Sequence, residues 1–154
     1  MSKQQYLVIH CTATREGREV TADEIRHWHT DPVSSGGRGW RQVGYTDMIH
    51  LDGKVERLVT NNEDANVDPW EITNGVKGYN RVSRHIVYVG GYAVDGQTTK
   101  DTRTTAQREA MKAYVLDFHR RFPKVRIVGH NQLADKPCPC FDVPRWLKEI
   151  GIKQ

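Results

Sequence analysis

Apolar positions along the chain fall into short runs separated by polar, glycine-rich stretches, and their spacing changes from run to run. Tyr6-Leu7-Val8-Ile9, continued by His10-Cys11, is a compact β-favouring run over residues 6–11 and predicts a buried strand. Thr21-x-x-Glu24 predicts a capping box that opens a short helix, with Ile25 and Trp28 on its inner face and Asp31-Pro32 as its stop. Ser34-Ser35-Gly36-Gly37-Arg38-Gly39 predicts a flexible loop. Residues 45–51 and 54–59 flank Asp52-Gly53, a pair favoured in type I′ hairpin turns. Residues 61–80 carry no clear period, and residues 85–89 predict a strand stopped by Gly90-Gly91.

The second half is more regular. Thr104-x-x-Gln107 is another capping box, and Met111, Val115, Phe118 and Phe122 then recur at helical spacing, marking one buried face. Pro123 ends that helix. Residues 125–130 predict a strand closing on Gly129-His130, and Asp142-Val143-Pro144 opens a last helix through Ile150, with Gly151 as its stop. Strands alternating with helices, plus one hairpin, imply an α/β fold: a single domain over residues 1–154 with a central mixed β-sheet flanked by helices. No repeat or linker divides it.

A chain of 154 residues can enclose one core, and its ordinary share of apolar residues, 37%, excludes a fibrous or disordered polypeptide. The longest apolar runs are far short of the ~20 residues a membrane-spanning helix needs, so no membrane insertion is expected. The start of the chain lacks the apolar stretch of a secretory signal, so synthesis in the cytoplasm is expected. Action outside would then need something other than an encoded signal to carry the chain there. Charge is uneven: residues 1–77 hold 9 basic and 12 acidic side chains, and residues 78–154 hold 14 and 7. No aromatic-interleaved basic motif accompanies Arg120, Arg121, Lys124 and Arg126, so a solvated helix end is favoured and no nucleic-acid partner is expected. Three cysteines, an odd number, argue against a disulfide framework and for thiol chemistry or metal ligation.

Two histidines share a setting. His10 closes one predicted strand and His130 another; if those strands are parallel, both imidazoles emerge at the same carboxyl edge of the sheet, where ligand crevices form. Cys138 follows within Lys136-Pro137-Cys138-Pro139-Cys140, whose prolines predict an extended segment with the two thiols pointing apart. Two imidazoles and one thiolate suit a zinc site with an open fourth position. The same residues also fit two satisfied near-core histidines and small buried cysteines, and spacing leaves both readings open. His27 and His29 do not share a helix face, His50 and His119 look superficial, and Cys11, on the opposite side of its strand from His10, looks like core.

Taken in order, Ile9-His10-Cys11-Thr12-Ala13-Thr14, Arg38-Gly39-Trp40-Arg41-Gln42-Val43-Gly44-Tyr45, Lys77-Gly78-Tyr79-Asn80, Gly129-His130 and Lys136-Pro137-Cys138-Pro139-Cys140-Phe141-Asp142 resemble the zinc N-acetylmuramoyl-L-alanine amidases of the phage-lysozyme type, relatives of the peptidoglycan recognition proteins. The resemblance implies hydrolysis of the amide between N-acetylmuramic acid and the L-alanine of the peptidoglycan stem peptide. It implies one Zn2+ per chain held by His10, His130 and Cys138, Tyr45 and Lys136 as catalytic residues, and Asn80 as a substrate contact. Trp40 would stack on the substrate or anchor its loop. The chain departs from the pattern at Thr46, where the family commonly has histidine, at Gly75-Val76, where it often has histidine, and over Arg81–Val87. A muropeptide partner and a monomer are expected. The alternatives are a non-catalytic peptidoglycan-binding domain, a nucleic-acid-binding domain and a thiol hydrolase using Cys11; chelation would spare only the last of the hydrolases.

Overall fold

In a computed structural model that describes residues 1–154, nine strands run through the chain. They are β1 (Ser2–Lys3), β2 (Tyr6–Cys11), β3 (Thr14–Arg15), β4 (Asp47–Ile49), β5 (Val55–Arg57), β6 (Asn66–Val67), β7 (Ser83–Tyr88), β8 (Gly91–Tyr92) and β9 (Arg126–Gly129). Five of them form the main sheet in the order β5-β4-β7-β2-β9, with β4, β7, β2 and β9 mutually parallel and β5 antiparallel at one edge. Short pairs β1·β6 and β3·β8 flank it. The mixed sheet follows from connection lengths: only β4 and β5 are close enough in sequence for a hairpin.

Three helices cover the sheet: α1 (Ala22–Thr30), α2 (Thr105–Arg121) and α3 (Val143–Glu149). The capping boxes at Thr21/Glu24 and Thr104/Gln107 both form, and the Asp142 side chain accepts the Arg145 N–H at the start of α3. Strand parity divides the two faces. Leu7, Ile9, Cys11, Ile86 and Tyr88 face Met111, Val115 and Phe118 of α2 and Trp146 and Leu147 of α3. Met111, Val115 and Phe118 are fully buried, and each such side chain stabilises the fold by roughly 1.5–3 kcal/mol. The opposite face carries Met48 and Val87 against Val20 and Ile25, and Val8 and Val128 against Val76. That second face, covered by α1 and by loops rather than by a long helix, is where His10 projects.

Several local expectations need correction. The β4–β5 turn is not type I′: Asp52 does not adopt positive φ, the Gly53 N–H donates to the His50 carbonyl, and Gly53 alone is left-handed at φ 88°. The Asp52 carboxylate accepts the Lys54 N–H instead, so the loop is a three-residue turn closed by a glycine bulge. Residues 34–39 are not a free loop. The N–H groups of Arg38, Gly39 and Trp40 donate to the carbonyls of Trp28, Asp31 and His29, fastening the segment to the end of α1. Nor is residues 137–140 extended: the Cys140 N–H donates to the Pro137 carbonyl at 2.8 Å and closes a turn. Within residues 61–80, β6 and a 3-10 turn at Pro69–Glu71 form, and β7 starts at Ser83, two residues before the expected strand.

Candidate metal centre

His10 sits one residue from the end of β2 and His130 directly follows β9, so the parallel pairing of those strands brings both to one end of the sheet. Their rings lie 4.8 Å apart, centroid to centroid. The 137–140 turn swings Cys138 onto them, with its Sγ 3.8 Å from His10 Nδ1 and receiving the Cys11 N–H at 3.2 Å. One donor atom from each of His10, His130 and Cys138 lies within 4.8 Å of the others. Ligand atoms around a tetrahedral zinc stand roughly 3.5 Å apart, so this set fits such an ion after a closure of about an ångström. The chemistry also fits. Burial first, and then the neighbouring His85, His130 and His29, hold His10 well below the ordinary imidazole range; burial and then the Lys136 charge lower His130. Both rings are therefore neutral near pH 7 and present lone pairs.

Around this trio stand the other expected residues. The Tyr45 ring centroid is 5.2 Å from that of His10. Burial, then the thiols of Cys138 and Cys11, push the Tyr45 phenol far up, so it remains protonated. Lys136 is exposed on the loop before Cys138, near enough for its charge to act on His130. Trp40 packs between Arg38, 5.1 Å from its ring, and the His29 ring at 4.8 Å. Trp40, Arg41, Asn74, Lys77, Gly78 and Asn80 line a cleft of about 470 Å³. The Asn80 side-chain oxygen already accepts the Val76 N–H and faces His85 Nε2, so only its NH2 group is available to a substrate.

The thiols separate as anticipated. Cys138 joins the histidines, whereas Cys140 turns to the core with its Sγ 3.9 Å from that of buried Cys11. Two further histidines, which no motif in the sequence marks, belong to the site. His29 is buried, accepts the Gly44 N–H at 3.0 Å on Nδ1, and packs its ring 5.4 Å from that of Tyr45. Its signal was present: Ile25 and His29 are four apart and share the buried face of α1. His85, wholly buried on β7, places Nδ1 2.8 Å from His10 Nε2. No spacing in the sequence announces that contact, because it depends on the β2–β7 register, in which Val8 pairs with His85 and His10 with Val87.

Comparison with known proteins gives a consistent picture. The family model described as N-acetylmuramoyl-L-alanine amidase matches residues 1–141. The endolysin of Enterobacteria phage K11 is 34% identical over 140 residues, covering 91% of this chain and 83% of that protein. Among solved structures, the Ph2119 endolysin from the Thermus scotoductus bacteriophage Ph2119 superposes with a TM-score of 0.72 at 26% identity, over 99% of this chain and 88% of the other. The ectodomain complex of peptidoglycan recognition proteins LCa and LCx with tracheal cytotoxin bound gives 0.67 at 25% identity, over 99% and 85%.

Proposed function

Since the chain belongs to the N-acetylmuramoyl-L-alanine amidase family, we propose that its peptidoglycan-lytic chemistry runs on one zinc ion held by His10, His130 and Cys138. The bond opened is the amide between N-acetylmuramic acid and the L-alanine of the stem peptide. The observation that carries the zinc assignment is the convergence of two neutral imidazoles and one thiol from residues 10, 130 and 138. Zinc in such a site supplies Lewis acidity to a carbonyl and lowers the pKa of solvent that reaches it.

The chain's own groups then divide the work. Lys136 provides a compact cation beside His130 to offset charge developing on the carbonyl oxygen. Tyr45, kept protonated by its surroundings, acts as a hydrogen-bond donor that orients the water or the leaving amine. The Trp40–Asn80 cleft receives the glycopeptide, with the Trp40 ring as an apolar wall and the Asn80 NH2 as a donor. Residues 1–154 act as one amidase domain and as a monomer. No helix is long and apolar enough to cross a membrane, and release to the wall by a holin or secretion system fits the endolysin relatives. Digestion of purified peptidoglycan, with and without chelator, tests the proposal. Stem peptides beginning with L-alanine should appear in the mass spectrum only without chelator; the same products with metal stripped away would overturn the zinc assignment.

A further inference from the structure

We infer that His85 is a positioning residue that sets the tautomer of His10 and thereby decides which His10 nitrogen is offered to the metal. The inference rests on the His10/His130/Cys138 reading above and concerns a residue to which that reading gives no role.

The chain of hydrogen bonds has one consistent direction. The Val76 N–H is an obligatory donor, so the Asn80 atom it meets at 2.9 Å is the amide oxygen. That same oxygen lies 2.9 Å from His85 Nε2, which must therefore carry a proton. A neutral His85 then has its lone pair on Nδ1. Facing it at 2.8 Å, His10 Nε2 must be the donor, and the His10 lone pair is left on Nδ1, the nitrogen 3.8 Å from Cys138 Sγ. No carboxylate hydrogen-bonds to either ring, and both are buried, so the neutral forms hold. A backbone N–H thus fixes, through two side chains, the tautomer of a ligand candidate.

The space for this arrangement is also specific. His85 lies on the same sheet face as Val8 and His10, one register step away. Its ring occupies the place a side chain at position 75 would fill: a Cβ on Gly75 would stand 2.3 Å from His85 Nδ1 and 2.4 Å from its Cγ. Gly75 lacks positive φ, and the three atoms nearest an added Cβ all belong to the His85 imidazole, so alanine there meets that ring rather than backbone strain. The glycine and the histidine form one device.

Hydrogen-bond partners of ligating histidines typically contribute about 10–100-fold to metal affinity. Zinc affinity, measured by competition with a chromophoric chelator, should fall by about that factor in His85→Phe and in Gly75→Ala. It should recover substantially in His85→Gln, whose amide can accept from His10 and donate to Asn80. Long-range 1H–15N correlation spectra of the metal-free wild type should show His10 protonated on Nε2 and His85 on Nε2. Metal-free His85→Phe should show His10 as a tautomer mixture. A wild-type His10 protonated on Nδ1, or zinc affinity within about twofold of wild type in folded His85→Phe and Gly75→Ala, would overturn the inference. If His85→Phe fails to fold, the wild-type spectra decide. Failure of the wild type itself to bind zinc would instead sink the metal reading, because the tautomer assignment is made without metal.

Discussion

The site asks different things of neighbouring residues. On the proposed zinc reading Cys138 supplies the sulfur: serine preserves size but gives up the thiolate, so Cys138→Ser should weaken zinc binding by more than about 100-fold and abolish turnover. Retained activity in that variant would remove Cys138 from the ligand set. In the proposed reaction Lys136 contributes only its charge. Lys136→Ala should lower kcat by about 10²–10³-fold while zinc content measured by atomic absorption stays at one per chain. An unchanged kcat would return Lys136 to an ordinary exposed loop position. His10, His130 and Cys138 were legible because each stands next to a strand end or a proline-bounded turn, where sequence constrains direction. His85 was not, because its partner is chosen by register. Gly75, one of the positions where the resemblance led to an expected histidine, is the residue that admits the His85 ring.

At the scale of elements, the capping boxes, the α2 face and the proline stops were all readable from short-range chemistry, since each is a contact within four residues. The strand-pair details were not. The Asp52-Gly53 turn differs from expectation because the Asp52 carboxylate bonds forward to the Lys54 N–H, and residues 34–39 are held by α1 carbonyls that no local pattern reveals. Gln107 shows both kinds of information in one side chain. As the third residue of α2 its oxygen caps the Thr104 N–H at 2.9 Å, which the sequence announces. Its Nε2 also donates to the Val89 carbonyl at 2.9 Å and the Ile49 carbonyl at 3.3 Å, locking the helix start to the loop after β7 and the end of β4. Gln107 is fully buried, so Gln107→Leu takes the partner away from the Thr104 N–H and the Val89 carbonyl, while the Ile49 carbonyl keeps the Val89 N–H, and should destabilise the fold by about 2–4 kcal/mol in urea denaturation. Gln107→Glu should cost at least as much, since it buries a charge facing two carbonyls. A loss below about 0.5 kcal/mol in Gln107→Leu would mean that water replaces the missing bonds.

For the molecule as a whole, one ionic network joins parts that the sheet alone leaves loosely tied. Glu63, from the irregular 61–80 segment, receives hydrogen bonds from Arg84 of β7 at 2.6 and 2.8 Å and from Arg121 at the end of α2 at 3.0 Å, and it also meets Arg57 of β5. Asp47 of β4, buried beside it, accepts from Arg84, Arg57 and the Tyr114 hydroxyl. Burial by itself would raise the Glu63 carboxyl, but the hydrogen bonds and charge of Arg84, with Arg57 and Arg121, bring it down to about 2 from an ordinary 4.5. The unfolded chain therefore binds a proton at this residue before the folded one does. Its contribution is fully present above about pH 4.5 and is lost as pH falls toward 2. In protein treated with chelator, so that metal release plays no part, the wild-type Tm should drop through that window. Glu63→Gln should start from a lower Tm at pH 7, fall less steeply between pH 5 and 2, and meet the wild type near the acid end. Two parallel curves would show that the arginines hold the segment without drawing on the Glu63 charge. Convergence would assign a defined part of the acid sensitivity to the contact that fastens the 61–80 segment, whose far end carries Gly75 and Asn80, onto the sheet that carries His10.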